Sequence, residues 1–148
     1  MEQVSELTIS YKPRVKSSDR YCIRFSQDAY RLLIGQAFDN DTLEYKEYMK
    51  MILLDSSNKV LGITTISEGG MDNTVVDVRL VLQTALLAHC SAIILAHNHP
   101  AGGLIPSTYD DAVTQKIKQA AKLLDIKLYD HLIVTSDSYY SYADEGRL

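Results

Sequence analysis

Ser91 to Leu95 is an apolar run that opens directly onto AHNHPAGG. It is too short for a helix, and a strand apolar on both faces must be covered on both faces. The run therefore predicts the inner strand of a sheet with helices packed on either side. No other segment narrows the choice of fold as far.

The flanking segments supply the remaining layers. Leu7, Ile9 and Tyr11 alternate with polar neighbours until Pro13, which predicts a short edge strand. Ser26 to Phe38 places Ala29, Leu32, Leu33 and Ala37 at helical spacing behind a capping Ser26. After the polar turn Asp39 to Thr42, Glu47 to Leu54 reads as an inner strand, and Asp55 to Lys59 turns it into Val60 to Ile66, with Gly69-Gly70 beyond. A second helix starts at a capping Asp77 stapled by Val76, carries Leu80, Val81, Ala85, Leu86 and Leu87, and ends near His89. A third begins at Ser107 with Ala112, Ile117, Ala120, Ala121 and Leu124 inward, followed by strands over Asp125 to Thr135 and Tyr139 to Ala143. The expected class is α/β, a three-layer-like mixed central sheet flanked by helices, in one domain over residues 1–148.

Composition removes several functions. Fifteen Lys and Arg against nineteen Asp and Glu leave a charge of −4, which argues against direct nucleic-acid binding by phosphate neutralisation. Cys22 and Cys90 are too few for a zinc knuckle, a disulfide framework or the Pro-Cys-x-x-Cys pair of a nucleobase deaminase. The start MEQVSELTIS lacks the basic and apolar regions of a secretory signal, and the longest apolar stretch, Ala92 to Ala96, is far short of the ~20 residues that span a bilayer. A cytoplasmic protein with no membrane role is expected.

Any metal site must then use histidine and carboxylate. His97 and His99 lie at the mouth of the buried strand, and residues i and i+2 on extended backbone face the same side, with Asn98 facing away. Asp110, on the first turn of the third helix, can turn its carboxylate back as a third ligand. Two imidazoles and one carboxylate leave a tetrahedral zinc a fourth position for water, as in catalytic sites. Glu47, at the start of an otherwise apolar strand, offers a general base. Plainer roles exist for each: Ser107 and Asp110 match a capping box, His89 suits a helix C-terminus, and His131 beside Asp130 reads as a satisfied interior group.

The order His97-x-His99, seven residues, Ser107, two residues, Asp110 resembles the metal-binding motif of the JAB/MPN (JAMM) metallopeptidase superfamily. LLDSSNKVLG, SAIILAHNHPAGG, PSTYDD and DIKLYDHLIVTSDSYYS are similar to the C-terminal domain of RadC-family proteins, over roughly residues 47–146. The resemblance implies one zinc ion (Zn2+) on His97, His99 and Asp110, with Glu47 as the base that activates water, Glu68 as the alternative base, and Ser107 supporting the oxyanion. It implies a peptide or protein substrate cleaved at a peptide or isopeptide bond. Non-catalytic scaffolds of the superfamily, and accessory factors in DNA repair or mobile-element biology, are the rival readings. RadC chains usually carry a helix-hairpin-helix segment that residues 1–45 do not contain, and the edge strand near the N-terminus would permit a homodimer.

Overall fold

At the centre of the computed structural model, which describes residues 1–71 and 74–148, lies strand β3 (Ala92–Asn98), every residue of it buried. It pairs antiparallel with β1 (Tyr48–Leu54) and parallel with β4 (Lys127–Val134). Strand β2 (Val60–Glu68) continues the sheet beyond β1, and β5 (Tyr139–Ser141) beyond β4, giving the order β2-β1-β3-β4-β5. The apolar run thus reaches three residues further than its last leucine, and the extra length carries His97 and Asn98 inside the sheet.

Helix α1 (Ser26–Leu32) runs on into a π-helical turn, Leu33–Ala37, and covers one face. There Ala29, Leu32 and Leu33 meet Ile52, Leu54, Ile94, Ala96, Leu132 and Val134. Helices α2 (Val78–Leu87) and α3 (Thr108–Leu123) cover the other, where Val81, Ala85, Ile117 and Ala121 meet Met49, Met51, Leu53, Ile93 and Leu95. Period-two alternation along β1 and β3 sorts their side chains between these two cores. Each fully buried leucine or isoleucine contributes about 1.5–3 kcal/mol. The result is the expected α/β arrangement, a mixed five-stranded sheet with helices on both faces.

Local differences have local causes. Leu7, Ile9 and Tyr11 form no strand: Leu7 and Ile9 have no neighbouring strand among the described residues and stay exposed, while Tyr11 stacks on His89, rings 4.7 Å apart. Ser26 is the first helical residue rather than the cap, and the Asp28 carboxylate closes that end by accepting from the N–H groups of Arg24 and Phe25. Asp77 and Ser107 do cap α2 and α3. On α2, Leu80, Leu86 and Leu87 are about half exposed, so the buried stripe is narrower than expected. On α3 it is Asp110, Thr114, Ile117 and Ala121, while Ala112 and Leu124 face solvent. The buried residues of its first half, Asp110 and Thr114, are polar because they meet the histidines, while Val113 packs against the apolar core.

One irregularity positions a site residue. Ile93 pairs with Leu128 but Ile94 with Asp130, so Tyr129 is an extra residue, a β-bulge in β4. Without it His131 would fall beside Ala96 and face α1. With it His131 falls beside Leu95 and faces α3.

Candidate metal centre

The register of β1 against β3 sets Met49 opposite His97, and two residues further in each direction it brings Glu47 to His99. Asp110 reaches the same point from the first turn of α3. His97 Nε2 lies 2.9 Å from His99 Nε2, and Asp110 places Oδ1 3.3 Å from the first and Oδ2 3.3 Å from the second. Glu47 Oε1 stands 3.9 Å from His97 Nε2. One ligand atom from each of the four lies within 4.8 Å of all the others, and Glu47, His97 and Asp110 are buried. Nothing but a shared cation or proton reconciles two imidazole nitrogens and two carboxylates at such distances.

The donor chemistry fits a metal. His99 Nδ1 is 2.8 Å from the Gly103 carbonyl, which can only accept, so that nitrogen carries a proton and Nε2 is the atom that could coordinate. Burial pushes His97 below the ordinary imidazole range. His99 is raised by its hydrogen bond to Asp110, against the opposing effect of burial. Burial also opposes ionisation of Asp110, but the imidazoles of His97 and His99 beside its oxygens and the Ser107 N–H outweigh it and hold the carboxyl well below its usual range. An ionised carboxylate facing two imidazoles is a donor set that a cation could share.

Each functional group is held by a specific neighbour. Ser107 and Asp110 do form the capping box: Ser107 N–H donates to Asp110 Oδ2 at 2.8 Å, and Ser107 Oγ accepts from Asp110 N–H at 3.0 Å. Cap and ligand are compatible, since the cap occupies one carboxylate lone pair and turns the remainder towards the histidines. Asn98, facing away as expected, accepts from Tyr48 N–H and donates to the carbonyls of Leu43 and Lys46. It thereby fastens the turn that delivers Glu47. Glu68 does not join the group; its carboxylate pairs with Lys46 at the exposed end of β2. A cleft of about 350 Å3 opens on the centre, lined by Glu47, Met71, His99, Ser107 and Tyr109 among others.

Residues 23–147 match the family model described as the RadC-like JAB domain. The chain belongs to that family. It is 42% identical over 127 residues to a UPF0758 protein of Flavobacterium johnsoniae, aligning 84% of this chain with 52% of that one. It is 42% identical over 137 residues to a UPF0758 protein of Porphyromonas gingivalis, covering 92% and 59%, and 42% over 106 residues to UPF0758 protein YfjY of Escherichia coli, covering 72% and 66%. The chain therefore spans about half to two-thirds of the length of these curated relatives.

The RadC-like JAB domain also holds two residues that sequence reading did not assign to the centre. His131, fully buried, approaches His97 Nδ1 with its Nε2 at 2.7 Å, and its Nδ1 lies 2.6 Å from Thr114 Oγ1. Neither carries a spacing signal: the bulge at Tyr129 decides which way His131 faces, and Thr114 is a polar residue on a stripe sought among apolar ones. Cys22 and Cys90 are both free, and no helix among the described residues is long and apolar enough to cross a membrane.

Proposed function

We propose that this domain is a zinc-dependent metallohydrolase that cuts peptide or isopeptide bonds. The observation that carries the proposal is the convergence of Glu47, His97, His99 and Asp110 on one point at the floor of an open cleft. His97, His99 and Asp110 would hold the ion, since two imidazole nitrogens and a carboxylate suit zinc and leave a coordination position open. When bound, zinc supplies Lewis acidity towards water and towards a carbonyl oxygen.

The chain's own groups divide the remaining work. Glu47 is the most distant of the four from His97, and that separation suits a base standing beside the ion rather than on it. It takes the proton of the attacking water and returns it to the departing amine. Ser107 borders the same cleft and supports the oxyanion. The expected partner is a peptide or protein substrate in the cytoplasm; a homodimer and the absence of direct nucleic-acid contact belong to the same reading.

Metal content measured by mass spectrometry on protein purified without a metal-affinity tag tests the first half. Near-stoichiometric zinc in the wild type, lost in both His97→Ala and Asp110→Ala, is the expected result. A wild type that takes up no metal after reconstitution with zinc overturns it and favours a scaffold. Peptide and isopeptide libraries then test the second half, with Glu47→Gln as the inactive control.

A further inference from the structure

The hydrogen bonds behind the centre have one consistent direction. Thr114 Oγ1 lies 2.7 Å from the main-chain carbonyl of Asp110, which can only accept, so the hydroxyl proton is committed there. The same oxygen, with its proton spent, must accept from His131 Nδ1 at 2.6 Å. His131 is fully enclosed, its ring nitrogens bonded to His97 and Thr114, and an extra proton on it would be a buried charge with no carboxylate among the described residues bonded to it. It therefore carries a single proton, on Nδ1, and presents a bare Nε2 to His97. His97 Nδ1 must donate to that atom, which leaves His97 Nε2 bare and directed at the point shared with His99, Asp110 and Glu47. Tyr142 stacks on the His131 ring, centroids 5.0 Å apart and planes 9° from parallel, and keeps it from turning.

We propose that Thr114 and His131 are positioning residues that lock His97 into its coordinating tautomer, through a one-way chain that starts at the backbone of Asp110 and ends at the ring of His97. Two ligands contributed by different elements, α3 and β3, are thereby set by one network. Gly103 does the same for His99 through a carbonyl, so both imidazoles are preset before any ion arrives. The proposal rests on the metal-binding part of the reading above, and its first test does not.

That first test is the tautomeric state of the histidines in the metal-free wild-type chain, read by long-range nitrogen–proton NMR on histidine-labelled protein. His97 and His131 are both expected as the Nδ1–H form; a His97 ring protonated on Nε2 overturns the proposal whether or not zinc ever binds. The second is zinc affinity by chelator competition. Thr114→Val keeps the shape and removes the hydroxyl, and it is expected to weaken zinc binding about 10–100-fold, as loss of an outer partner of a metal ligand does. Thr114→Ser restores the hydroxyl and is expected to bind within about threefold of wild type, a rescue that a purely space-filling role would not produce. A folded Thr114→Val chain with unchanged zinc affinity defeats the proposal; if that variant does not fold, the NMR result decides. A wild type that binds no zinc while showing the expected tautomers sinks the hydrolase reading and leaves the lock standing.

Discussion

Asp110 and Asp130 are both buried acids, on opposite faces of the sheet, and they differ in what their oxygens meet. Asp130 is saturated by donors of the fold: Oδ1 accepts from the N–H groups of His131 and Ala143 at 2.7 and 3.0 Å, and Oδ2 from Ser141 Oγ at 2.6 Å. Asp110 takes one main-chain donor, Ser107 N–H, and otherwise faces the Nε2 atoms of His97 and His99 at 3.3 Å. The larger cavity, about 530 Å3, lies beside the saturated acid, and the smaller, about 350 Å3, beside the other. Neither burial nor cavity size marks the chemistry here. What marks it is a carboxylate turned onto two imidazole nitrogens, in a group that could hold a metal ion.

The sharpest separation within the centre itself is between holding the ion and moving the proton. Glu47→Gln is expected to lower peptide hydrolysis about 10²–10⁴-fold while zinc content stays at the wild-type level. Turnover that survives this change would take Glu47 out of the chemistry. Next in size is the exchange of the two aspartates. Asp110→Ala should lose more zinc affinity than the about 10–100-fold that an outer partner costs. Asp130→Ala should instead leave three donors without an acceptor, cost about 3 kcal/mol in denaturant unfolding, and keep its zinc. Should Asp130→Ala lose zinc as readily as Asp110→Ala, the division between the two acids fails.

The same division explains what could be seen in the sequence. His97 and His99 were visible because alternation on a strand needs no tertiary knowledge, and Asp110 because its distance from Ser107 is set by one helical turn. Glu47 stands out in the sequence as an acid at the start of an otherwise apolar strand, but its approach to His99 follows from the β1–β3 register, which the sequence does not show. The inward face of His131 depends on a bulge at Tyr129, and a one-residue insertion leaves no periodic trace. Thr114 leaves no apolar periodicity to follow, because the buried part of α3 over the centre is polar. The N-terminal alternation of Leu7, Ile9 and Tyr11 failed for the opposite reason, a correct local pattern without a partner strand. Ser26 fits the pattern of a cap, yet its hydroxyl is engaged by Tyr139 and Asp144, which arrive from the far end of the chain.

Ser107 tests whether Asp110 is more than a cap. Replacing Ser107 with Ala removes the acceptor for Asp110 N–H and should cost about 1 kcal/mol of stability. Zinc binding should persist, because Asp110 keeps its bond from the main chain of residue 107 and its orientation towards the histidines. Loss of zinc in step with loss of the cap would mean that helix fraying, not ligation, controls the site. Any further fall in turnover, measured with zinc bound, reports the hydroxyl's own support of the oxyanion.

The smallest expected effect is a bend in the stability curve of the metal-free protein, and the two acids bend it in opposite directions. Burial raises Asp130 above the ordinary 3.8 despite the hydrogen bonds from Ser141, Ala143 and His131, so the folded state holds that proton more tightly than the unfolded chain. Its contribution is complete below 3.8 and is lost as pH rises from there through the raised value. Asp110 is lowered, so its contribution is present above 3.8 and disappears as pH falls through the folded value. Denaturant unfolding across the acid range, wild type against Asp130→Asn, separates them. The variant should lack the decline on the upper side of 3.8 and keep the acid-side loss that belongs to Asp110. Two curves that run parallel on the upper side would show that Asp130 binds its proton no more tightly folded than unfolded, and that its three donors fully offset its burial.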